Sequence, residues 1–219
     1  MRYFPVHLDI RARNCLVVGG GSVGTRKVIT LLRCGANVTV ISPVVSERLC
    51  KLAESNSILL KKRSYRTQDL DGMFLVIGAT DDESLNRKIS GDAERRNTLC
   101  NIADRPEICN FILPAIVQRD DLVITISTSG KSPALAKKLR KTLENHFGEE
   151  YGDFLRLMGA IRTTLLNQSH EPEAHKQLFE KLVNSDLIAM IREGEKEGIN
   201  ALLLKVLGEG YRYDELMRL

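Results

Sequence analysis

The sequence contains no pair of cysteines in C-x-x-C spacing, which argues against a zinc finger or a dithiol redox centre. Its five cysteines are an odd number and lie far apart along the 219 residues. We therefore expect reduced, buried thiols and an intracellular, cytoplasmic protein. The four histidines are scattered too. His170 and His175 are separated by a proline, which is poor geometry for a metal site, and no metal is predicted.

Long apolar segments are also missing. No run approaches the roughly 20 apolar residues that a membrane helix requires, and the N-terminus lacks the apolar core of a signal peptide. With 43% apolar and 27% charged residues, the composition is that of a soluble globular protein. The formal net charge of +4 is too small to predict a nucleic-acid partner.

The motifs of several enzyme classes are absent as well. The sequence has no G-x-S-x-G nucleophile elbow, no H-E-x-x-H zinc motif and no P-loop. What it contains instead is a glycine-rich turn. Gly19, Gly21 and Gly24 have G-x-G-x-x-G spacing between an apolar run, Cys15 to Val18, and a segment from Val23 to Arg33 that is free of proline and internal glycine apart from Gly24.

Strand, glycine turn and helix in this order are typical of a dinucleotide-binding unit. Gly19 would permit the tight turn, Gly21 the approach of a pyrophosphate, and Gly24 the close packing of helix on strand. The amide groups of the helix N-terminus would face the phosphates. The alternative is a glycine-rich turn in some other α/β protein.

The second predicted strand, residues 37–41, does not end in the acid that binds the ribose in many such units. Ser42, Pro43 and Val44 occupy that place. Either the backbone or Ser42 meets the ribose hydroxyl groups, or the cofactor is not NAD(H). No arginine follows immediately to argue for NADP.

Two further strands are expected to end at the same edge of the sheet. Residues 73–77 run into Gly78-Ala-Thr-Asp-Asp82, and residues 98–102 run into Ala103 and Asp104 before Pro106. Ligands bind along this edge in open α/β sheets. Asp82 is expected to cap the following helix. Asp104 on its loop is either functional or a cap of its own turn.

Residues 127–133 form a hydroxyl-rich turn, in which Ser132 and Pro133 predict the start of a helix. Lys131 precedes this helix, and Lys137, Lys138, Arg140 and Lys141 lie on it. The cluster is either a solvated basic face or a site for an anionic ligand.

The alternation of strands and helices predicts an α/β fold with a Rossmann-like, doubly wound parallel sheet over residues 1–113. Residues 4–9, 110–114 and 122–126 are further strand candidates. After Gly148 the pattern is helical, with helices expected over residues 151–167, 173–190 and 197–207 and breaks at residues 169–172 and at Gly194.

Together these motifs resemble the precorrin-2 dehydrogenase and sirohydrochlorin ferrochelatase family, the N-terminal part of sirohaem synthase. The resemblance rests on Val17 to Lys27, Gly78 to Asp82, Cys100 to Asp104, Phe111 to Pro114 and Ser127 to Ala136. It covers residues 1 to about 145 in the family's order.

The resemblance implies NAD-dependent oxidation of precorrin-2 to sirohydrochlorin, with Fe²⁺ inserted as a second substrate in some members. It also implies a homodimer, with residues 114–147 as dimerisation and substrate-cleft segment and residues 148–219 as helical C-terminal domain. By residue, it implies catalysis by Asp104, NAD binding by Gly19, Gly21, Ser22, Val23, Gly24, Pro43, Val44 and Thr80, and binding of the anionic tetrapyrrole by Thr128, Lys131 and Lys137.

Two other functions remain open from the sequence. One is a Rossmann oxidoreductase acting on another anionic small molecule. The other is an NAD-sensing module without enzymatic activity, although such modules usually keep the acid after the second strand.

Overall fold

Five short strands of the first half of the chain form a parallel sheet in the order β3-β2-β1-β4-β5. Their bounds are β1 (Asn14–Gly20), β2 (Asn37–Val45), β3 (Leu59–Lys61), β4 (Leu75–Gly78) and β5 (Leu99–Ile102). Because the chain runs from β1 outward to β3 and then returns to the other side of β1, the order reverses between β1 and β4. This is the point where open α/β sheets bind ligands.

Three helices connect these strands, α1 (Ser22–Arg33), α2 (Glu47–Glu54) and α3 (Glu83–Arg95). Apolar side chains fill both faces of the sheet: Val17, Val40 and Ile77 belong to one buried cluster, and Leu16 and Val76 to the other. Burial on both faces explains why β1 and β4 read as continuous apolar runs instead of alternating ones.

The structure is a computed structural model that describes residues 2–167 and 172–218, and the chain divides into two compact units, Met1–Leu113 and Pro114–Leu219. The first unit is the expected Rossmann-like sheet, which confirms the predicted fold class. The further division at residues 147 and 148 remains a prediction. None of the helices within the described ranges has the length and apolarity to cross a bilayer.

The second unit begins with an antiparallel hairpin and continues as helices. Its elements are β6 (Ala115–Arg119), β7 (Leu122–Ile126), α4 (Pro133–His146), α5 (Glu150–Leu166), α6 (Pro172–Val183), α7 (Leu187–Glu193), α8 (Lys196–Leu207) and α9 (Tyr213–Leu216). Buried leucines and isoleucines of α5 to α8, among them Leu157 and Leu203, form its core.

Three local predictions are wrong. Residues 4–9 and 110–114 are not strands; the partner of β7 is β6, immediately after Pro114.

The single helix expected over residues 173–190 is two helices, because Ser185 interrupts it. The Ser185 hydroxyl donates to the Leu182 carbonyl at 2.7 Å and accepts from the Leu187 amide at 3.3 Å. The break at residues 169–171 and His170 lie outside the described residues.

A buried polar pair joins the segment after β3 to α3. Tyr65 is 6% exposed and donates its hydroxyl to Asp92 Oδ2 at 3.0 Å, while Asp92 is 1% exposed and also pairs with Arg95. Burial, followed by the hydrogen bond to Asp92, raises the pKa of Tyr65.

We expect Tyr65→Phe to lower the free energy of unfolding by about 1.5–3 kcal/mol, because the buried Asp92 carboxylate loses a donor. Urea unfolding followed by circular dichroism measures the change. Tyr151→Phe is the matched control, since the structure gives the Tyr151 hydroxyl no hydrogen bond within the described ranges. A loss for Tyr65→Phe no larger than that of the control would contradict the prediction.

Candidate dinucleotide site at the carboxyl edge of the sheet

The glycine turn brings three backbones closer together than side chains would permit. Gly19 has a φ of +121°, and a Cβ there would lie 2.1 Å from the carbonyl oxygen of Ala79. A Cβ on Gly24 would lie 2.1 Å from the carbonyl oxygen of Gly19. Both positions therefore require glycine, one for its conformation and one for the contact between α1 and β1.

Gly21 is different, because a Cβ there would meet no atom within 4 Å. It precedes α1 in an extended conformation and provides no side-chain cap, and the first turn of α1 has no acidic residue. The amides of Ser22, Val23 and Gly24 lack acceptors within the helix, as first-turn amides do. The open space at Gly21 lies beside these free amide donors at the positive end of the helix dipole. A pyrophosphate would fit there.

β2 continues four residues beyond the predicted end at residue 41, so Ser42 lies within the strand and is turned inward. It is 9% exposed, and its hydroxyl donates to the carbonyl of Val44 at 2.6 Å. Pro43 and Val44 are exposed instead. Since Ser42 is buried and its proton is engaged, contact of the ribose with the exposed residues 43 and 44 remains the prediction.

The segment after β4 is held by its own hydrogen bonds. Thr80 donates its hydroxyl to Asn86 Oδ1 at 2.9 Å, and Asn86 Nδ2 donates to the Thr80 carbonyl at 2.9 Å. Asp82 accepts from the Leu85 amide at 3.0 Å, which confirms its role as the cap of α3. Thr80 thus stands at the switch point, and Thr80 and Asp82 both form hydrogen bonds within the chain.

Asp104 follows β5 at the same edge. The Ala103 amide donates to the Gly78 carbonyl at 2.8 Å, so this loop is attached to the end of β4. Asp104 has a φ of +60°, is exposed, and forms no hydrogen bond or ion pair with the rest of the described chain. Its side chain therefore does not cap the turn before Pro106, and its carboxylate is available.

Lys27 of α1 lies close enough to Asp104 to respond to its charge. Burial lowers the pKa of the half-buried Lys27 ammonium, Arg26 lowers it further, and the negative charge of Asp104 acts in the opposite direction. The edge thus combines amide donors, a lysine and an exposed carboxylate.

In the second unit, the hydroxyl-rich turn has the predicted local structure. Ser132 caps α4 by accepting from the Leu135 amide at 3.2 Å, and Thr128 Oγ1 accepts from the Ser132 amide at 3.2 Å. Lys131 and Lys137 are exposed and have no ion pair with any residue that the structure describes. Whether Thr128, Lys131 and Lys137 bind substrate remains a prediction.

Among the side chains that the structure describes, no group of three or more histidine, cysteine, aspartate or glutamate residues is placed to hold a metal ion. Asn86, the partner of Thr80, was not identified from the sequence. Its position one turn into α3 gave no sign of the contact.

Comparisons with known proteins agree with this arrangement. A family model described as putative NAD(P)-binding matches residues 6–115, and one described as sirohaem biosynthesis protein, central, matches residues 119–146. The chain is 36% identical to a siroheme synthase of Nitrosococcus oceani over 211 residues, covering 96% of this chain and 45% of the relative. It is 33% identical to that of Methylococcus capsulatus, covering 98% and 45%.

The chain therefore spans less than half the length of these curated relatives. Among solved structures it is similar to SirC, a precorrin-2 dehydrogenase, with a TM-score of 0.76, 26% identity, and coverage of 89% of this chain and 98% of the other. The glycine cradle, the matched models and the relatives together confirm the resemblance drawn from the motifs: the chain belongs to the putative NAD(P)-binding family, in the form found in sirohaem synthases.

Proposed function

We propose that this chain catalyses the NAD-dependent dehydrogenation of precorrin-2 to sirohydrochlorin in sirohaem biosynthesis. The observation that carries the proposal is the unpartnered, exposed carboxylate of Asp104 at the edge where the glycine turn receives a dinucleotide. The name of the similar structure, a precorrin-2 dehydrogenase, supports the choice of substrate.

Each candidate site residue has a separate role in the proposed reaction. When bound, NAD⁺ supplies the hydride acceptor. The first-turn amides of Ser22, Val23 and Gly24 bind its pyrophosphate, and the backbone of residues 43 and 44 meets the ribose. Thr80, fixed by Asn86, borders the nicotinamide end. Asp104 accepts the proton that the substrate loses together with the hydride.

The second unit supplies the charge that an anionic tetrapyrrole requires. Thr128, Lys131 and Lys137 are proposed to bind substrate carboxylates, since exposed ammonium groups without ion pairs are free to do so. Insertion of Fe²⁺ as a second substrate requires loss of two pyrrole protons, and the Asp104 carboxylate is the proposed acceptor there too.

The proposal also includes a homodimer and a cytoplasmic location. Apolar side chains left exposed on β6, β7 and α4, such as Ile116, Val123 and Leu135, support a homodimer. Reduced cysteines support a cytoplasmic location. Burial raises the pKa of Cys15 to about 11 and that of Cys100 to about 12, so both thiols stay protonated and unreactive.

We expect Gly21→Asp to weaken NAD⁺ binding more than about tenfold, because like charges brought together across a binding site cost several kcal/mol. The fold should survive, since aspartate is a good N-cap and a Cβ at Gly21 meets no atom. Calorimetric titration measures the affinity, and Gly21→Asn separates charge from bulk. An unchanged affinity of Gly21→Asp for NAD⁺ would contradict the proposed dinucleotide site.

Replacing Lys137, Lys138 and Lys141 with glutamine should raise KM for the tetrapyrrole more than it lowers kcat, because these charges act on bound substrate and transition state alike. The effect should shrink with added salt, since exposed charges are screened over about 10 Å at 0.1 M. The control replaces Lys176, Lys181 and Lys205, which changes the net charge equally. Equal KM values for the two triple variants would show that the lysines of α4 form a solvated basic face and do not bind the substrate.

We expect Asp104→Asn to bind NAD⁺ normally and to lose about 10²–10⁴-fold in the rate of dehydrogenation, the usual contribution of a general base. Iron insertion into supplied sirohydrochlorin should fall as well. Turnover and melting temperature are measured on one preparation. A variant with a lower melting temperature and a near-normal rate would show that Asp104 stabilises the loop and takes no part in the reaction.

A further inference from the structure

The outer edge of β5 is completed by side chains instead of a further strand. Because β5 is the last strand in the order of the sheet, its outward amide and carbonyl groups need other partners. The Asn110 side chain supplies them on both sides of Leu99. Its Oδ1 accepts from the Cys100 amide at 2.7 Å, and its Nδ2 donates to the Thr98 carbonyl at 2.9 Å. A residue of a parallel strand would use its backbone for these two bonds, so the Asn110 side chain stands in for a peptide group.

Further bonds from the same two neighbouring residues close this edge. The Asn110 amide donates to the Cys100 carbonyl at 3.1 Å. Cys109 Sγ accepts from the Ile102 amide at 3.1 Å, and the thiol donates to the Arg105 carbonyl at 3.1 Å. Residues 109 and 110 are therefore attached to β5 at both Cys100 and Ile102.

These attachments hold the far end of the loop of residues 103–108, which carries Asp104. At the start of the loop, the Ala103 amide is bound to the end of β4. Near its end, the Ser90 hydroxyl of α3 donates to the Ile108 carbonyl at 2.7 Å. Asp104 itself forms no hydrogen bond or ion pair with the described residues. The backbone of the loop therefore sets the position of its carboxylate, and contacts of its own side chain do not.

The backbone conformation of Asp104 makes this dependence strong. Its φ of +60° lies in the left-handed region, which residues other than glycine adopt at a cost in free energy. Such a conformation persists where the surrounding structure imposes it. If the far end of the loop were released from β5, residue 104 could relax to a negative φ, and its carboxylate would leave its place at the edge of the sheet.

We propose that Asn110 is a positioning residue for Asp104. Its side-chain amide, assisted by the Cys109 thiol, closes the loop on the edge of β5 and so holds the Asp104 carboxylate where the proton of the substrate is removed. The proposal rests on the role of Asp104 in the proposed function. Asn110 and Cys109 act through the backbone of residues 103–108 and have no contact with the substrate in this proposal.

Asn110→Ala should lower kcat for dehydrogenation about 10–100-fold, because a displacement of about 1 Å suffices for a loss of this order. KM for precorrin-2 and Kd for NAD⁺ should change less than about threefold, since the carboxylate acts in the transition state. The matched control is Asn37→Ala. Asn37 is also exposed, lies at the start of β2, and donates its Nδ2 to the Ala12 carbonyl at 3.1 Å. Equal kcat values for the two variants would overturn the proposal.

A double-mutant cycle separates positioning from a general loss of stability. In the Asp104→Asn background, Asn110→Ala should lower kcat by less than about twofold, because the carboxylate that it positions is gone. The same loss in both backgrounds would overturn the proposal. A near-normal rate of Asp104→Asn would contradict the proposed function and this proposal together. A large loss for Asp104→Asn without a loss for Asn110→Ala would overturn the positioning role alone.

Variants of Cys109 test the same loop if Asn110→Ala does not fold. Cys109→Ser keeps an acceptor for the Ile102 amide and a donor for the Arg105 carbonyl, so its kcat should stay within about threefold of wild type. Cys109→Ala should lower kcat about tenfold. Without substrate, hydrogen exchange of residues 98–104 should be faster in Cys109→Ala than in Cys109→Ser. Equal kcat values or equal exchange rates for these two variants would overturn the proposal.

Discussion

The close approach of three backbone segments at Gly19, Gly24 and Ala79 is the constraint on which the site depends. Each of the two glycines would place a Cβ 2.1 Å from a carbonyl oxygen, a distance that no side chain can tolerate. Because α1 packs this closely on β1, its first turn begins at the sheet edge and presents its amides there. Because Ala79 packs on Gly19, the end of β4 is fixed beside the turn.

The same constraint reaches Asp104 through the pairing of β4 with β5. Gly78 pairs with Val18 on one side and with Ile102 on the other, so the last residues of β4 and β5 lie in one row with Val18, near the end of β1. Asp104 stands two residues beyond that row in a left-handed conformation, which aspartate tolerates better than most residues do. A short excursion of the backbone therefore suffices to set an exposed carboxylate at the edge.

The features predicted well from the sequence were those with a local cause. The glycine spacing, the apolar runs of β1 and β4, the cap at Ser132 and the break at Gly194 each depend on residues adjacent in the chain. The missed features have two kinds of cause. The helix break at Ser185 depends on side-chain hydrogen bonds within three residues, whereas the strand candidate at residues 110–114 depends on distant contacts. Residues 110–114 have the composition of a strand, yet Phe111 packs on the core of the first unit while β6 begins after Pro114.

At the site, the orientation of Ser42 and the shared surface of Arg26 and Arg48 were also not predicted. The sequence left open whether the backbone or Ser42 meets the ribose; in the structure the Ser42 hydroxyl donates to the carbonyl of Val44, two residues on. The sequence shows no arginine directly after β2, whereas in the structure Arg26 of α1 and Arg48 of α2 line one surface groove. Periodicity predicts which elements form; it does not predict which side chains of two elements face each other.

The polar groups at this edge fall into two classes with different chemical consequences. Thr80, Asp82 and Ser42 form hydrogen bonds within the chain, so they shape the edge but have little capacity left for a ligand. The first-turn amides of α1 have no acceptor within the helix. Asp104 has no hydrogen bond or ion pair with the described residues, although Lys27 lies near enough to interact with its charge. A dinucleotide matches this distribution, because its phosphates require the positive groups and the reaction at its far end requires a base. In the proposed function, the first-turn amides of α1 would bind the phosphates and Asp104 would accept the proton.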